Sequence, residues 1–182
     1  MLPADLHIDK TWTLFLDRDG VINKKIDHDY VRNYSQFEFL PGVKDALRIL
    51  NDIFGRIVIV TNQRGIGRGL MTVQDLESIH EAMMKEVTAA GGRIDAIYFC
   101  SDVQDEGSTH RKPQPGMALD AKAQFPEIDF SRSLMAGDSS GDMEFGTRLG
   151  MVTAYISPQL AGNAHLHYTS LINLANDLSA NC

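Results

Sequence analysis

Residues 14–22, LFLDRDGVI, run three large apolar side chains straight into Asp17, Arg18 and Asp19, and then into Gly20. Aspartate is poorly suited to a strand, and a buried unpaired carboxylate costs several kcal/mol, so the pair is expected to do more than pack. Residues two apart on an extended chain point the same way, which lets both carboxylates face one ligand. Gly20 then lets the chain turn sharply away. Three further stretches carry matching chemistry. Thr61-Asn62-Gln63 offers a hydroxyl, an amide and backbone donors; His110-Arg111-Lys112-Pro113 offers two fixed cations and a titratable third; Gly137-Asp138-Ser139-Ser140-Gly141-Asp142 adds two carboxylates.

Three or four carboxylates converging on one place repel one another. A hard divalent cation resolves that repulsion, and oxygen-only ligands favour Mg²⁺. Lys112, Arg111 and Thr61 suit a phosphoryl group beside such an ion. Magnesium, a phosphate cradle and a spare carboxylate are the parts of a phosphoryl-transfer site, in which a carboxylate can itself be the nucleophile. Taken singly, each stretch has an ordinary reading: a solvated strand end, a helix cap, a charged loop, a turn or calcium-like loop. What unites them is that each follows an apolar run.

Those runs alternate with helical periodicity. Strands are expected at Thr11–Leu16, Ile57–Val60, Ile94–Cys100, Leu134–Ala136 and Met151–Ile156. Helices are expected at Pro41–Phe54, from a Thr72 cap with Asp75 three residues on to Gly91-Gly92, at Pro115–Phe125, at Asp142–Leu149, and over LINLANDL near the C-terminus. The alternation implies an α/β fold, a doubly wound, Rossmann-like, mostly parallel sheet with helices on both faces. Ligands bind such sheets beyond the carboxyl ends of the strands, where the four stretches fall. From Asp19 to Thr61 there is room for a loop and one helix, and from Gln63 to Lys112 for one helix and one strand. The site should therefore be open, without a cap domain, and bounded by loops at Lys24–Tyr30 and Arg64–Gly69. Gly65, Gly67 and Gly69 would keep the second loop mobile, or serve as plain turn residues.

The 182 residues suit one domain, 1–182, with a full core. A net charge of −7 argues against a general nucleic-acid binder. Two cysteines, Cys100 and Cys182, fit a reducing compartment. MLPADLHIDK has no apolar signal core, and no apolar run approaches the roughly 18 residues that cross a bilayer. A soluble, cytoplasmic monomer is expected, with no membrane partner.

The four stretches resemble the signature of the haloacid dehalogenase superfamily over most of the chain. The finer resemblance is to its small phosphatases of heptose bisphosphate and histidinol phosphate, through DRDGVIN, FEFLPGV, TNQRGIGRG and RKPQPGM. The resemblance implies a Mg²⁺-dependent sugar-phosphate phosphatase working through an aspartyl-phosphate. Asp17 would be the nucleophile and Asp19 the general acid, then base. Asp17, the Asp19 carbonyl and Asp138 would hold Mg²⁺, with Asp142 behind them, while Thr61 and Lys112 steady the phosphoryl group. Asp27, His28 and Tyr30, in DHDY, are similar to a substrate-contacting loop, with Asp29 where a glycine is usual. Asn62, Gln63, Arg64, Arg111 and Ser139 complete the expected substrate contacts, Ser139 standing where these relatives carry a lysine. The subfamily often has a zinc loop of form C-x-H…C-x-C before RKP. Here Cys100, Asp102, Ser108 and His110 hold those places, and serine is a poor zinc ligand, so the loop is expected to fold without metal.

Three other readings compete. Histidinol phosphate is the nearest alternative substrate. TNQ…GRG is also similar to the phosphatase domain of polynucleotide kinase/phosphatase, a DNA 3′-phosphatase. A receiver-like module would instead store a durable phospho-aspartate without turnover.

Overall fold

In the computed structural model, residues 6–104, 107–159 and 163–181 are described, and Cys182 lies outside them. The strands are β1 (Thr13–Leu16), β2 (Arg56–Asn62), β3 (Ala96–Cys100), β4 (Ser133–Gly137), β5 (Val152–Ile156) and β6 (Leu166–Tyr168). The helices are α1 (Val43–Ile53), α2 (Arg64–Gly67), α3 (Val73–Ala89), α4 (Gly116–Gln124), α5 (Ser140–Arg148) and α6 (Leu171–Ala180). The strands form one sheet in the order β3-β2-β1-β4-β5-β6, and every neighbouring pair is parallel.

Two cores explain why the apolar runs are continuous. Leu14 and Leu16 join Ile57, Ile59, Leu134 and Ala136 against α1, α3 and α6; Phe15, Val58, Val60 and Met135 face α4 and α5. Strands covered on both faces need apolar side chains at every position rather than at alternate ones. The order reverses between β1 and β4, with β2 and β3 to one side and β5 and β6 to the other. That is a topological switch point, and it puts a crevice at the carboxyl ends of β1 and β4. No separate cap domain is evident among the described residues: between β1 and β2 there are only loops, a three-residue 3₁₀ turn and α1.

Element ends move by a few residues from expectation. The α1 helix begins at Val43 because Gly42, at φ +76°, is left-handed and cannot be helical. The Thr72 cap forms as expected: its hydroxyl accepts from Asp75 N at 3.1 Å while Asp75 Oδ2 accepts from Thr72 N at 2.8 Å. The sequence pattern does not predict β6, since three residues are too few to carry a period and its support comes from pairing with β5. The Arg64–Gly69 segment is not a mobile loop but begins with α2. Gly65 and Gly67 are there for close packing: a Cβ would lie 3.1 Å from the Tyr30 ring at Gly65 and 2.2 Å from the Ser101 carbonyl oxygen at Gly67. Gly69, at φ +70° with open space around it, is the turn residue.

Candidate active site

Asp17 leaves β1 with its N–H donated to the Ala136 carbonyl of β4, which pins the strand end over the switch point. The Lys112 ammonium, buried, reaches Asp17 Oδ1 at 2.9 Å, Asp142 Oδ1 at 2.6 Å and the Val60 carbonyl at 2.7 Å. It arrives there because Asn62, the last residue of β2, brackets its backbone, accepting from Lys112 N at 3.0 Å and donating to Lys112 O at 3.3 Å. Asp142 lies in the first turn of α5 and closes a capping box with Ser139, Oδ2 accepting from Ser139 N at 3.0 Å and from its hydroxyl at 2.6 Å. Asp138 completes the group. One ligand oxygen each from Asp17, Asp138 and Asp142 lies within 4.8 Å of the others.

Two of the three carboxylates, Asp17 and Asp142, share one buried lysine. Burial pushes the Asp17 carboxyl up to about 7; Lys112 opposes this, and Asp142, Asp138 and Asp19 add to it. Lys112 itself is held well above the ordinary amine value, because the charges of Asp142 and Asp17 outweigh its burial. The geometry supports a charged lysine beside a cluster that still lacks positive charge. Burial likewise raises Asp138, against the pull of Lys25. Its Oδ2 accepts from Lys25 Nζ at 3.0 Å, while its Oδ1 is buried with no hydrogen-bond partner among the described residues. An orphaned carboxylate oxygen in an oxygen-only, electron-rich cluster fits a hard divalent cation. Gly20 makes the approach possible: at φ +92° any Cβ there would fall 2.1 Å from Asp138 Oδ2.

Asp19 shares the cleft but not the cluster. Its carboxylate takes both oxygens to Arg18 Nη2, at 2.9 and 3.0 Å, and accepts from Asn23 Nδ2 and Gln63 Nε2, each at 2.9 Å. Burial would raise its pKa, but the Arg18 charge and these hydrogen bonds together hold it below the ordinary carboxylate value. The two aspartates thus open onto one cavity with different partners.

The cleft, about 510 Å³, is lined by Asp17, Asp19, Asn62, Lys112, Asp138, Ser139 and Asp142 at its base, with Lys25, His28, Tyr30, Arg64, Arg68 and Arg111 among the rest. Three expected site residues lie off the lining of the cleft. Thr61 and Gln63 are buried, with Gln63 Nε2 donating to the Thr61 hydroxyl at 3.0 Å, and Asp27 is exposed; none of the three lines the cleft. Gln63 reaches the site only through Asp19. His28 sits in the left-handed region at φ +58°, tipping the DHDY loop, and the Asp29 carboxylate is held by Arg32 at 2.6 Å. Before RKP, the Ser108 hydroxyl donates to Asp102 at 2.5 Å, accepts from Arg111 N at 2.9 Å and from His110 N at 3.3 Å, and lies 3.9 Å from the Cys100 sulfur. The His110 ring turns away to Asp120 at 3.0 Å.

The chain is similar to known proteins in sequence and in fold. The family model described as polynucleotide kinase 3 phosphatase matches residues 13–170. The chain belongs to this family of haloacid dehalogenase-type phosphatases. Within the phosphatase family it is 40% identical over 152 residues to D-glycero-alpha-D-manno-heptose-1,7-bisphosphate 7-phosphatase of Mycobacterium tuberculosis, covering 83% of this chain and 80% of that one. It is also 40% identical over 139 residues to the beta-heptose enzyme of Escherichia coli, covering 72% and 71%. The crystal structure of D,D-heptose 1,7-bisphosphate phosphatase from B. bronchiseptica, complexed with magnesium and phosphate, superposes with a TM-score of 0.84 at 27% identity over 94% of this chain and 99% of that one.

Residues to which the sequence assigned no individual role are Arg18, Asn23, Lys25, Arg68 and His80. Arg68 stands 5.9 Å over the Tyr30 ring, and Lys25 crosses 113 residues to reach Asp138. No helix of the described residues is long and apolar enough to cross a membrane.

Proposed function

We propose that this protein is a magnesium-dependent phosphatase that removes the 7-phosphate of D-glycero-D-manno-heptose 1,7-bisphosphate. The observation that carries the chemistry is the cluster of Asp17, Asp138 and Asp142, with Lys112 bridging Asp17 and Asp142, in one cleft with Asp19. The substrate rests on the heptose relatives. Asp17 attacks phosphorus while Lys112 holds its other charge partner, Asp142, in place. Asp19, which Arg18 keeps ionised in the free protein, takes up a proton as the anionic substrate enters beside it and gives it to the leaving sugar oxygen, forming a phospho-Asp17. Asp19, then a carboxylate, takes a proton from the water that attacks this intermediate, and phosphate leaves. Magnesium, held by Asp17, the Asp19 carbonyl and Asp138, would neutralise the non-bridging phosphoryl oxygens. Arg64, Arg68, Arg111 and Tyr30 on the rim suit a second phosphate and a polyol. The same reading takes residues 1–182 as one catalytic unit, monomeric and cytoplasmic, where a phosphorylated sugar is met.

Identity does not separate the two anomers, and the family model's own description keeps a 3′-phosphorylated DNA end as the second reading. The net charge of −7 weighs against that end. The test is Mg²⁺-dependent phosphate release from both heptose bisphosphate anomers, histidinol phosphate and a 3′-phosphorylated oligonucleotide, each at equal concentration. A heptose anomer is expected to be preferred by kcat/KM, and Asp17→Asn to abolish release. A preference for either other substrate, or undiminished release by Asp17→Asn, overturns the reading. Phosphate retained on Asp17 without release would mark a receiver-like module.

A further inference from the structure

Among the described residues Arg18 is the largest side chain with essentially no exposed surface, and it lies between the two aspartates of the motif. The alternation of β1 explains where it goes. Asp17 continues the side of Phe15, toward the α4 and α5 face, while Arg18 continues the side of Leu14 and Leu16, toward α1 and α3. A guanidinium buried there requires acceptors, since it has five donors and no lone pair. Its Nη2 is taken by both oxygens of Asp19, and its Nη1 lies 3.1 Å from Nε2 of His80, on α3, 62 residues along the chain.

We propose that His80 is a positioning residue for Asp19, acting through Arg18. The inference rests on the reading of Asp19 as the general acid and base. Arginine can only donate, so His80 Nε2 must accept, and the ring is neutral with its proton on Nδ1. Burial, joined by the adjacent Arg18 charge, keeps it in that form, pushing its pKa down to about 3 against the pull of Asp19. On α3 its companions in the buried stripe are Leu76, Ile79, Met83 and Val87, where packing alone calls for an aliphatic residue. His80 instead gives the guanidinium a second fixed point. With Nη1 anchored, the Nη2 edge is aimed at Asp19; without an acceptor, Nη1 is a buried orphan and the guanidinium turns to find one, taking Asp19 out of line with the leaving oxygen.

The test uses the full chain with saturating Mg²⁺ and three variants: His80→Leu, His80→Gln and Asp19→Asn. Glutamine can place its amide oxygen near the position of Nε2 and accept the same bond; leucine cannot. Values of kcat/KM are measured on heptose 1,7-bisphosphate, whose sugar oxygen must be protonated to leave, and on p-nitrophenyl phosphate, whose phenolate leaves without help. General acid–base catalysis contributes about 10²- to 10⁴-fold, so losing the aim of the acid should cost about 10- to 100-fold on the sugar phosphate. His80→Leu is expected to show that loss on the sugar phosphate and less than about threefold loss on the aryl phosphate, and His80→Gln to recover most of it. Equal losses on both substrates, or a glutamine variant as impaired as leucine, would mean a purely structural role and overturn the proposal. If His80→Leu does not fold, His80→Asn, whose shorter amide cannot reach Nη1, takes its place with the same expected split. Asp19→Asn separates the two layers. If it lacks the leaving-group dependence, the role of Asp19 is wrong; if it has it and His80→Leu does not, only the positioning inference fails.

Discussion

Replacing Lys112 with methionine keeps most of the side-chain volume and removes the one buried cation that Asp17 and Asp142 share. In the wild type, its ammonium holds both carboxylates and the Val60 carbonyl within 3 Å. Breaking one partner out of a buried ion pair costs about 3–5 kcal/mol, and an orphaned buried carbonyl about 1–3 more, though the two do not add fully because they share one cavity. The carboxylates have an escape, which is to take up a proton, and that caps the loss near 3 kcal/mol at about pH 8. Asp17 already has its folded pKa raised, to about 7 from 3.8, so the folded state binds the extra proton between those values, and the variant widens that window upward. The deficit should therefore be flat below about pH 7, at about 1–2 kcal/mol from the orphaned carbonyl, and grow by up to about 1.4 kcal/mol per pH unit above it, to about 3 near pH 8. Lys112 ordinarily contributes below its unfolded pKa of 10.5, so its charge is present throughout this range. For a chain of this size the deficit corresponds to roughly 6–12 °C in Tm. Urea denaturation in EDTA from about pH 4.5 to 8.5 reads it directly, and saturating Mg²⁺ should restore part of it by supplying the missing positive charge. A deficit under about 1 kcal/mol at pH 8, or one that does not change with pH, would refute the view that Lys112 compensates the acidic cluster.

Gly20→Ala should raise the Mg²⁺ concentration for half-maximal activity at least about tenfold, since the new methyl displaces Asp138 Oδ2; a metal titration of phosphate release checks it. Ser108→Ala removes the hydroxyl that takes the N–H groups of His110 and Arg111, at a cost on the order of 1–2 kcal/mol. We expect this as a roughly five- to thirtyfold rise in KM with kcat less affected. His80 has its folded pKa lowered, from 6.5 to about 3, so the unfolded chain binds the extra proton and stability is lost as pH falls through that window. In saturating Mg²⁺, His80→Gln should lose less stability than wild type between about pH 6.5 and 4 by urea denaturation, whereas parallel curves would contradict a buried neutral imidazole.

Much of the fold is legible in the chain because both faces of its sheet are covered. Continuous β-branched runs such as Ile57–Val60 are typical of strands buried on both faces, and the stripe of Val43, Ala46, Leu47 and Leu50 has the 3.6-residue period of a helix. The acidic cluster was legible for a related reason. Asp17, Asp138 and Asp142 follow strands, and parallel strands deliver whatever follows them to one edge. The DRDG, TNQ and RKP segments therefore identify the chemistry before any coordinate is known.

Tertiary structure decided the partners. Equal spacing put Asp17 and Asp19 on one side of an extended chain, yet their hydrogen bonds divide them, one to Lys112 and the other to Arg18, Asn23 and Gln63. Gln63, which sequence assigns to the substrate, is buried and spends its amide on Asp19 and Thr61. Arg18 has no assigned role until the packing of α3 gives it His80, and Lys25, within the Lys24–Tyr30 loop, has none until it meets Asp138. Periodicity is a property of near neighbours along one element, so it reports burial and the direction of side chains. Which two polar groups meet across 62 or 113 residues depends on how helices and loops settle on the sheet, a choice no local pattern encodes.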